Sequence, residues 1–194
     1  MTAAAPRTLA WINYGYLLLM MLVIAAILTA AIAMQYIGGE LPCPLCLLQR
    51  VALFGVCFGI IATFRFGDSG RNTGLGLLFA IFLLVVSVRQ SLLDIYPRPG
   101  HAYIGSAVFG IHMPVWCVLI ALALLIAYSV KLAVLDSRDA RAVPLVEFPA
   151  LARAARAAGA YVVMLCAINL ISVVVQCGLD ACHTSGYRLL QSLH

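Results

Sequence analysis

The sequence predicts an all-α integral membrane protein with five transmembrane helices. Three observations predict it. Of 194 residues, 64% are hydrophobic and 10% are charged, against about half and about a quarter in a soluble domain. Mean hydropathy is +1.07. The apolar residues fall in five long continuous runs. A membrane barrel needs short alternating ones, and lipid leaves only helices or closed barrels. Twelve basic and seven acidic side chains cannot screen so much apolar surface from water. A soluble enzyme, a disordered tail and a nucleic-acid binder are therefore poor readings.

The spans follow in order. Run 11–37 carries no charge and is long enough to cross a bilayer with some tilt. It exceeds the apolar core of a signal peptide, so it is expected to be retained. Run 47–64 holds Arg50 in its first turn, and run 75–93 holds Arg89 near its far end. Run 115–135 includes Lys131, whose long side chain can snorkel. Run 160–176 carries no charge. Between the last two, Leu145 to Ala158 has Phe148 and Leu151 on one side and Arg153 and Arg156 offset, which fits a short interfacial helix. The segment 94–114 is rich in Pro and Gly yet apolar, and is expected to lie along the membrane surface.

Five spans put the termini on opposite faces. Arg7, Arg65, Arg71, Lys131, Arg138, Arg141, Arg153 and Arg156 collect on the N-terminal face, and only Arg98 and Arg188 occupy loops on the other. The positive-inside rule places the N-terminus in the cytoplasm and the C-terminus outside. The seven cysteines then sort themselves. Cys43 and Cys46 lie between spans one and two on the outer face, and Cys177 and Cys182 follow span five on the same face. Cys57 and Cys166 lie inside spans and Cys117 at the mouth of span four, where each reads as a small buried apolar residue. Trp11 and Trp116 fit an interfacial aromatic belt.

The richest run is Glu40-Leu-Pro-Cys-Pro-Leu-Cys-Leu-Leu-Gln-Arg. A C-x-x-C turn holds two sulfurs within disulfide reach. Pro42 and Pro44 restrict it, and Pro44 removes a backbone donor between the thiols. Cys46 opens span two, where unpaired N–H groups and the macrodipole favour a thiolate. Arg50, four residues on, falls beside Cys46 in a helix, and its guanidinium adds to that effect and can hold a polarised oxygen. A structural disulfide, a metal site built with the second cysteine pair, and a redox-active dithiol all use such residues. The helix start and Arg50 favour the dithiol; the wider spacing of the second pair disfavours zinc. Haem attachment needs His where Leu47 stands.

The stretch Pro-Cys-Pro-Leu-Cys-Leu-Leu-Gln-Arg-Val-Ala-Leu-Phe-Gly, from Pro42 to Gly55, resembles the first outer loop and second helix of the disulfide-bond formation protein B (DsbB) family. The likeness runs over roughly 40–59 and more loosely over the first four spans. The resemblance implies a thiol oxidase of the bacterial inner membrane, built as a four-helix transmembrane bundle to which this chain adds a fifth transmembrane helix. Such a protein oxidises a periplasmic thioredoxin-like (DsbA-like) disulfide carrier and passes two electrons to ubiquinone or menaquinone. It implies that Cys43 and Cys46 are the quinone-side pair, with Cys46 next to the ring and Arg50 contacting the quinone. The family's best-known pattern carries its second pair between spans three and four, where segment 94–114 has no cysteine. Here Gln176-Cys-Gly-Leu-Asp-Ala-Cys follows the fifth span instead, resembling a five-span branch of the family. Topology therefore assigns Cys177 and Cys182, on a periplasmic tail 177–194, the shuttle role; a structural staple is the alternative. Arg89 is a candidate for the quinone pocket, against snorkelling or pairing with Asp94. His112 is a candidate proton donor, against an incidental loop histidine.

Two rivals remain. A reductase running the other way uses the same residues, but no cysteine falls in the inner loops to feed a relay across the membrane. A non-enzymatic membrane subunit with structural disulfides predicts that Cys46→Ser leaves thiol oxidation intact.

Overall fold

The computed structural model describes residues 4–39, 41–95 and 107–177. It is an all-α chain with five helices long and apolar enough to cross a membrane. Helix α1, Ala4–Tyr36, has 33 residues. At 1.5 Å per residue it is about 50 Å long, so it overruns a hydrocarbon core of about 30 Å. Its overhanging first turns are held by the later chain. Tyr14 donates to the Val143 carbonyl at 3.1 Å, and Arg7 lies 5.8 Å over the Phe148 ring.

Helix α2, Pro44–Phe66, begins with Cys43 as its cap and Pro44 at its first position, where proline's fixed φ and missing N–H do no harm. Gly67, at φ 91°, ends it by returning its N–H to the Thr63 carbonyl. Buried residues make up 67% of its apolar window, against 28–39% for the other spans, so α2 is the central helix. Helix α3, Gly70–Ile95, lies along it. The two cross on glycines: a Cβ on Gly59 would stand 2.8 Å from the Gly76 nitrogen. Small residues at such crossings let backbones approach where lipid gives no hydrophobic drive for packing.

A two-stranded hairpin follows, β1 Ala107–Val108 paired antiparallel with β2 Ile111–His112. Its turn takes Phe109 to φ 53° and Gly110 to φ 76°. Helix α4, Met113–Val130, packs on α3 and passes into a π-helical turn, Lys131–Leu135. A short α5, Arg138–Arg141, and a 3-10 turn, Leu145–Glu147, lead to α6, Pro149–Cys177. Helix α6 lies against α1 and α2. Hydrogen bonds between Thr29 and Tyr161 (2.8 Å) and between Tyr36 and Ser172 join α6 to α1. Leu19, Leu78, Val85, Ile126, Leu170 and Ile171 face outward, the surface expected of helices solvated by lipid.

The structure corrects four expectations. Cys166, expected to be buried, stands on the exposed side of its helix. Lys131 does not snorkel. It is 1% exposed, and its ammonium bonds both Asp68 carboxylate oxygens (2.9 and 3.2 Å) and the Thr73 hydroxyl (3.0 Å). The wider π turn begins at this residue, and Asp68 waits in the short α2–α3 connection, itself gripped by Asn13 at 2.7 Å. The interfacial helix expected over 145–158 is not a separate element. Its residues from Pro149 onward are the first turns of α6, because the alanine-rich stretch after a proline start has no reason to break. The spans also outrun their hydropathy runs: α2 starts at Pro44 rather than 47, and α3 at Gly70 rather than 75. Within the described part of segment 94–114, the chain forms the hairpin.

Candidate functional site

The C-x-x-C turn closes a disulfide between Cys43 and Cys46, with Cα atoms 5.0 Å apart. Cys43 caps α2 in an extended conformation, and its sulfur accepts the Cys46 N–H at 3.0 Å. The sequence reading started the helix at Cys46 and gave that sulfur alone its field. The helix starts two residues earlier, so the unpaired N–H groups of its first turn act on Cys43 as well. Cys43 is buried, whereas Cys46 is partly exposed.

Two glutamines complete the surroundings of the sulfurs. Gln90 of α3 is 6% exposed, and its amide nitrogen lies 3.4 Å from the Cys43 sulfur and 3.5 Å from the Cys46 sulfur. Gln49 of α2 donates to the Gln90 side-chain oxygen at 3.0 Å and to the Ser87 hydroxyl at 3.2 Å. Sequence reasoning passed over both. The signal was present, since an uncharged amide inside a span also needs a partner.

Arg50 is 8% exposed. Its guanidinium donates to the side-chain oxygens of Gln35 (2.6 Å) and Asn169 (3.3 Å) and to the Ala31 carbonyl (2.9 Å). It is therefore fixed by α1 and α6. The end of α6 also reaches the disulfide turn: Gln176 donates to the Pro42 carbonyl at 2.9 Å. The next residue, Cys177, is 4% exposed and disulfide-bonded. Cys182 and the rest of the expected tail lie outside the described residues.

An apolar cavity of about 340 Å³ opens beside the disulfide, within the range of small-molecule sites. Cys46, Gln49 and Arg50 line it from α2, and Trp116 and Cys117 from α4. Phe109 of the hairpin also lines it, and the Trp116 indole pins the hairpin by donating to the Val108 carbonyl at 3.0 Å. Arg89 is not brought to this cavity. It stands on the exposed side of α3 and is absent from the lining. Gln90, about 100° further round the helix, faces the sulfurs instead. His112 precedes α4 as its cap residue. Among the described residues, no three His, Cys, Asp or Glu side chains converge as a metal site.

The site thus defines a membrane helical bundle carrying a disulfide on a helix N-terminus, next to an apolar cavity with a buried cation in its wall. Against known proteins, the family model "Disulfide bond formation protein DsbB" matches residues 13–106. That stretch takes in most of α1 and all of α2 and α3. Relatives named Disulfide bond formation protein B include one from Burkholderia pseudomallei (strain 1106a), 39% identical over 71 residues, 37% of this chain and 39% of the relative. One from Cupriavidus metallidurans is 34% identical over 84 residues, 43% of this chain and 52% of the relative. One from Nitrosomonas europaea is 38% identical over 87 residues, 42% of this chain and 52% of the relative. The chain therefore spans about half, or less, of these relatives' lengths. The family-model match takes in the disulfide turn and Gln90 and ends before α4. No solved structure matches.

Proposed function

We propose that this chain is a thiol oxidase of the bacterial inner membrane. It reoxidises a periplasmic thioredoxin-like disulfide carrier and passes the electrons to a membrane quinone, ubiquinone or menaquinone. The observation that carries the reading is the Cys43–Cys46 disulfide at the start of α2, with Cys46 and Arg50 lining one apolar cavity. The match to the disulfide bond formation protein family model, which takes in the same residues, supports it. The basic residues favour a cytoplasmic N-terminus, which turns the start of α2 and the end of α6 to the outside together.

Electrons enter at the tail. A carrier thiolate attacks the Cys177–Cys182 disulfide, and its second thiolate resolves the mixed disulfide. The carrier leaves oxidised and the tail holds two thiols. One of these, deprotonated, attacks the Cys43 sulfur; a new S–S bond forms, and the old bond's electron pair leaves on Cys46. The other tail thiolate then attacks the mixed disulfide, restoring Cys177–Cys182 and releasing Cys43. The Gln176–Pro42 hydrogen bond keeps the end of α6 against this turn. Cys46 is the suitable leaving sulfur, because a stabilised thiolate leaves faster. Arg50 would hold a quinone oxygen, with Trp116 and Phe109 as aromatic walls. When bound, a quinone supplies the two-electron acceptor that regenerates the Cys43–Cys46 disulfide.

Arg50→Met tests the assignment. A hydrogen bond to a charged group contributes about 1.5–3 kcal/mol, so the quinone KM should rise about tenfold to a hundredfold. The carrier KM should hold, and Arg50→Lys should fall between because a point charge replaces a fork. A change confined to the carrier KM places Arg50 outside the quinone site.

A further inference from the structure

We infer that Gln90 is a catalytic residue of the thiol–disulfide exchange, donating its amide to the sulfur that becomes a thiolate, and that Gln49 positions it. The inference rests on the proposed redox role of Cys43 and Cys46. The Gln90 amide nitrogen lies within 3.5 Å of both sulfurs. A disulfide carries no proton, so its sulfurs can only accept, and the NH₂ end of Gln90 is the end that suits them. Gln49 fixes that choice from behind, since its own NH₂ donates to the Gln90 oxygen and to Ser87. Turning Gln90 over would set two NH₂ groups against each other.

The consequence appears when the bond breaks. An incoming thiolate forms a new S–S bond at Cys43, and the electron pair of the Cys43–Cys46 bond passes to the Cys46 sulfur. No proton moves in this step. A neutral sulfur is a weak acceptor and a thiolate a strong one, so the Gln90 hydrogen bond strengthens as charge develops. It is a preorganised donor aimed at the developing anion, and it needs no reorganisation at the moment of reaction. Its burial keeps water from competing for the same position. The Cys46 N–H makes the matching contact to the Cys43 sulfur, so each sulfur has a donor waiting when it leaves or is released.

The test uses the full chain, purified in detergent, with Cys177 and Cys182 both replaced by serine so that one pair titrates. The Cys43–Cys46 pair is equilibrated with dithiothreitol buffers at neutral pH. Gln90→Met, close to glutamine in shape, should shift the equilibrium toward the disulfide about tenfold, the scale of one charge-assisted hydrogen bond. That is about 30 mV for a two-electron couple. Gln90→Glu keeps the acceptor for Gln49 but turns a carboxylate oxygen toward the sulfurs, so it should shift the equilibrium further in the same direction. Gln49→Leu should give a smaller shift of the same sign. If Gln90→Met destabilises the bundle too far to measure, Gln90→Glu decides. Equilibria within twofold of the parent in a folded variant, or an easier reduction in Gln90→Glu, would overturn the inference. The measurement needs neither carrier nor quinone, so its failure is distinguishable from failure of the proposed oxidase activity.

Discussion

Replacing Cys46 by serine is expected to abolish oxidation of a reduced thioredoxin-like carrier, down to the rate without protein. The cause is specific. Cys43 and Cys46 form the disulfide at the start of α2, and Cys46 is the one of the two that lines the cavity. Without it, the proposed relay has no disulfide between the tail and the electron acceptor. An attack at position 43 then has no leaving sulfur. Serine is close in size, and the Cys43 sulfur can still accept the backbone N–H of residue 46 and cap the helix, so the fold should persist. Cys177→Ser should give a different pattern under the proposed relay. Carrier oxidation stops, while a small dithiol such as dithiothreitol still reduces the Cys43–Cys46 pair directly. Free-thiol titration of the carrier over time reads both variants. Undiminished carrier oxidation by Cys46→Ser would return these cysteines to a structural role.

The second large effect concerns stability. Lys131 and Asp68 form an ion pair with side chains 1% and 2% exposed. Breaking a buried pair by removing one partner costs about 3–5 kcal/mol, because the survivor keeps its charge without compensation. Lys131→Met should therefore lower the unfolding midpoint in detergent steeply, leaving the Asp68 carboxylate with Asn13 as its remaining described donor. Lys131→Met combined with Asp68→Asn should recover at least half of the loss, since an amide suffers far less from burial than a carboxylate. A single variant as stable as the parent would show that the pair does not organise the α1, α2–α3 and α4 junction. The disulfide lies at the opposite end of α2, so the double variant should retain the redox behaviour of Cys43 and Cys46.

Much of this molecule was legible in the sequence because membranes simplify the problem. Five uninterrupted apolar runs define five spans, and C-x-x-C beside Arg50 marks the start of α2. What stayed hidden depends on partners far apart in sequence. Arg50 meets Asn169 and Gln35, and Gln176 meets Pro42; no local spacing joins such pairs. Charge also drew attention away from amides. Arg89 stood out as an intramembrane cation, yet Gln90 is the side chain beside the sulfurs. Successive helical residues point about 100° apart, and hydropathy cannot say which of two neighbours faces inward. Lys131 was read as snorkelling because its acceptor, Asp68, sits 63 positions away. Helix ends were missed for another reason. A hydropathy run finds the apolar centre of a span, whereas a cap such as Cys43 or a proline start such as Pro149 sets its true limit.

The proposed function requires electron flow from carrier thiols through the Cys43–Cys46 disulfide to a quinone in the adjoining cavity. Anaerobic mixing of the purified protein with reduced carrier and a soluble quinone tests it most directly, with quinone absorbance followed over time. Catalytic loss of the oxidised quinone signal is expected, one quinone for each carrier disulfide formed. Carrier disulfide appearing with the quinone signal unchanged, or neither changing, would contradict it.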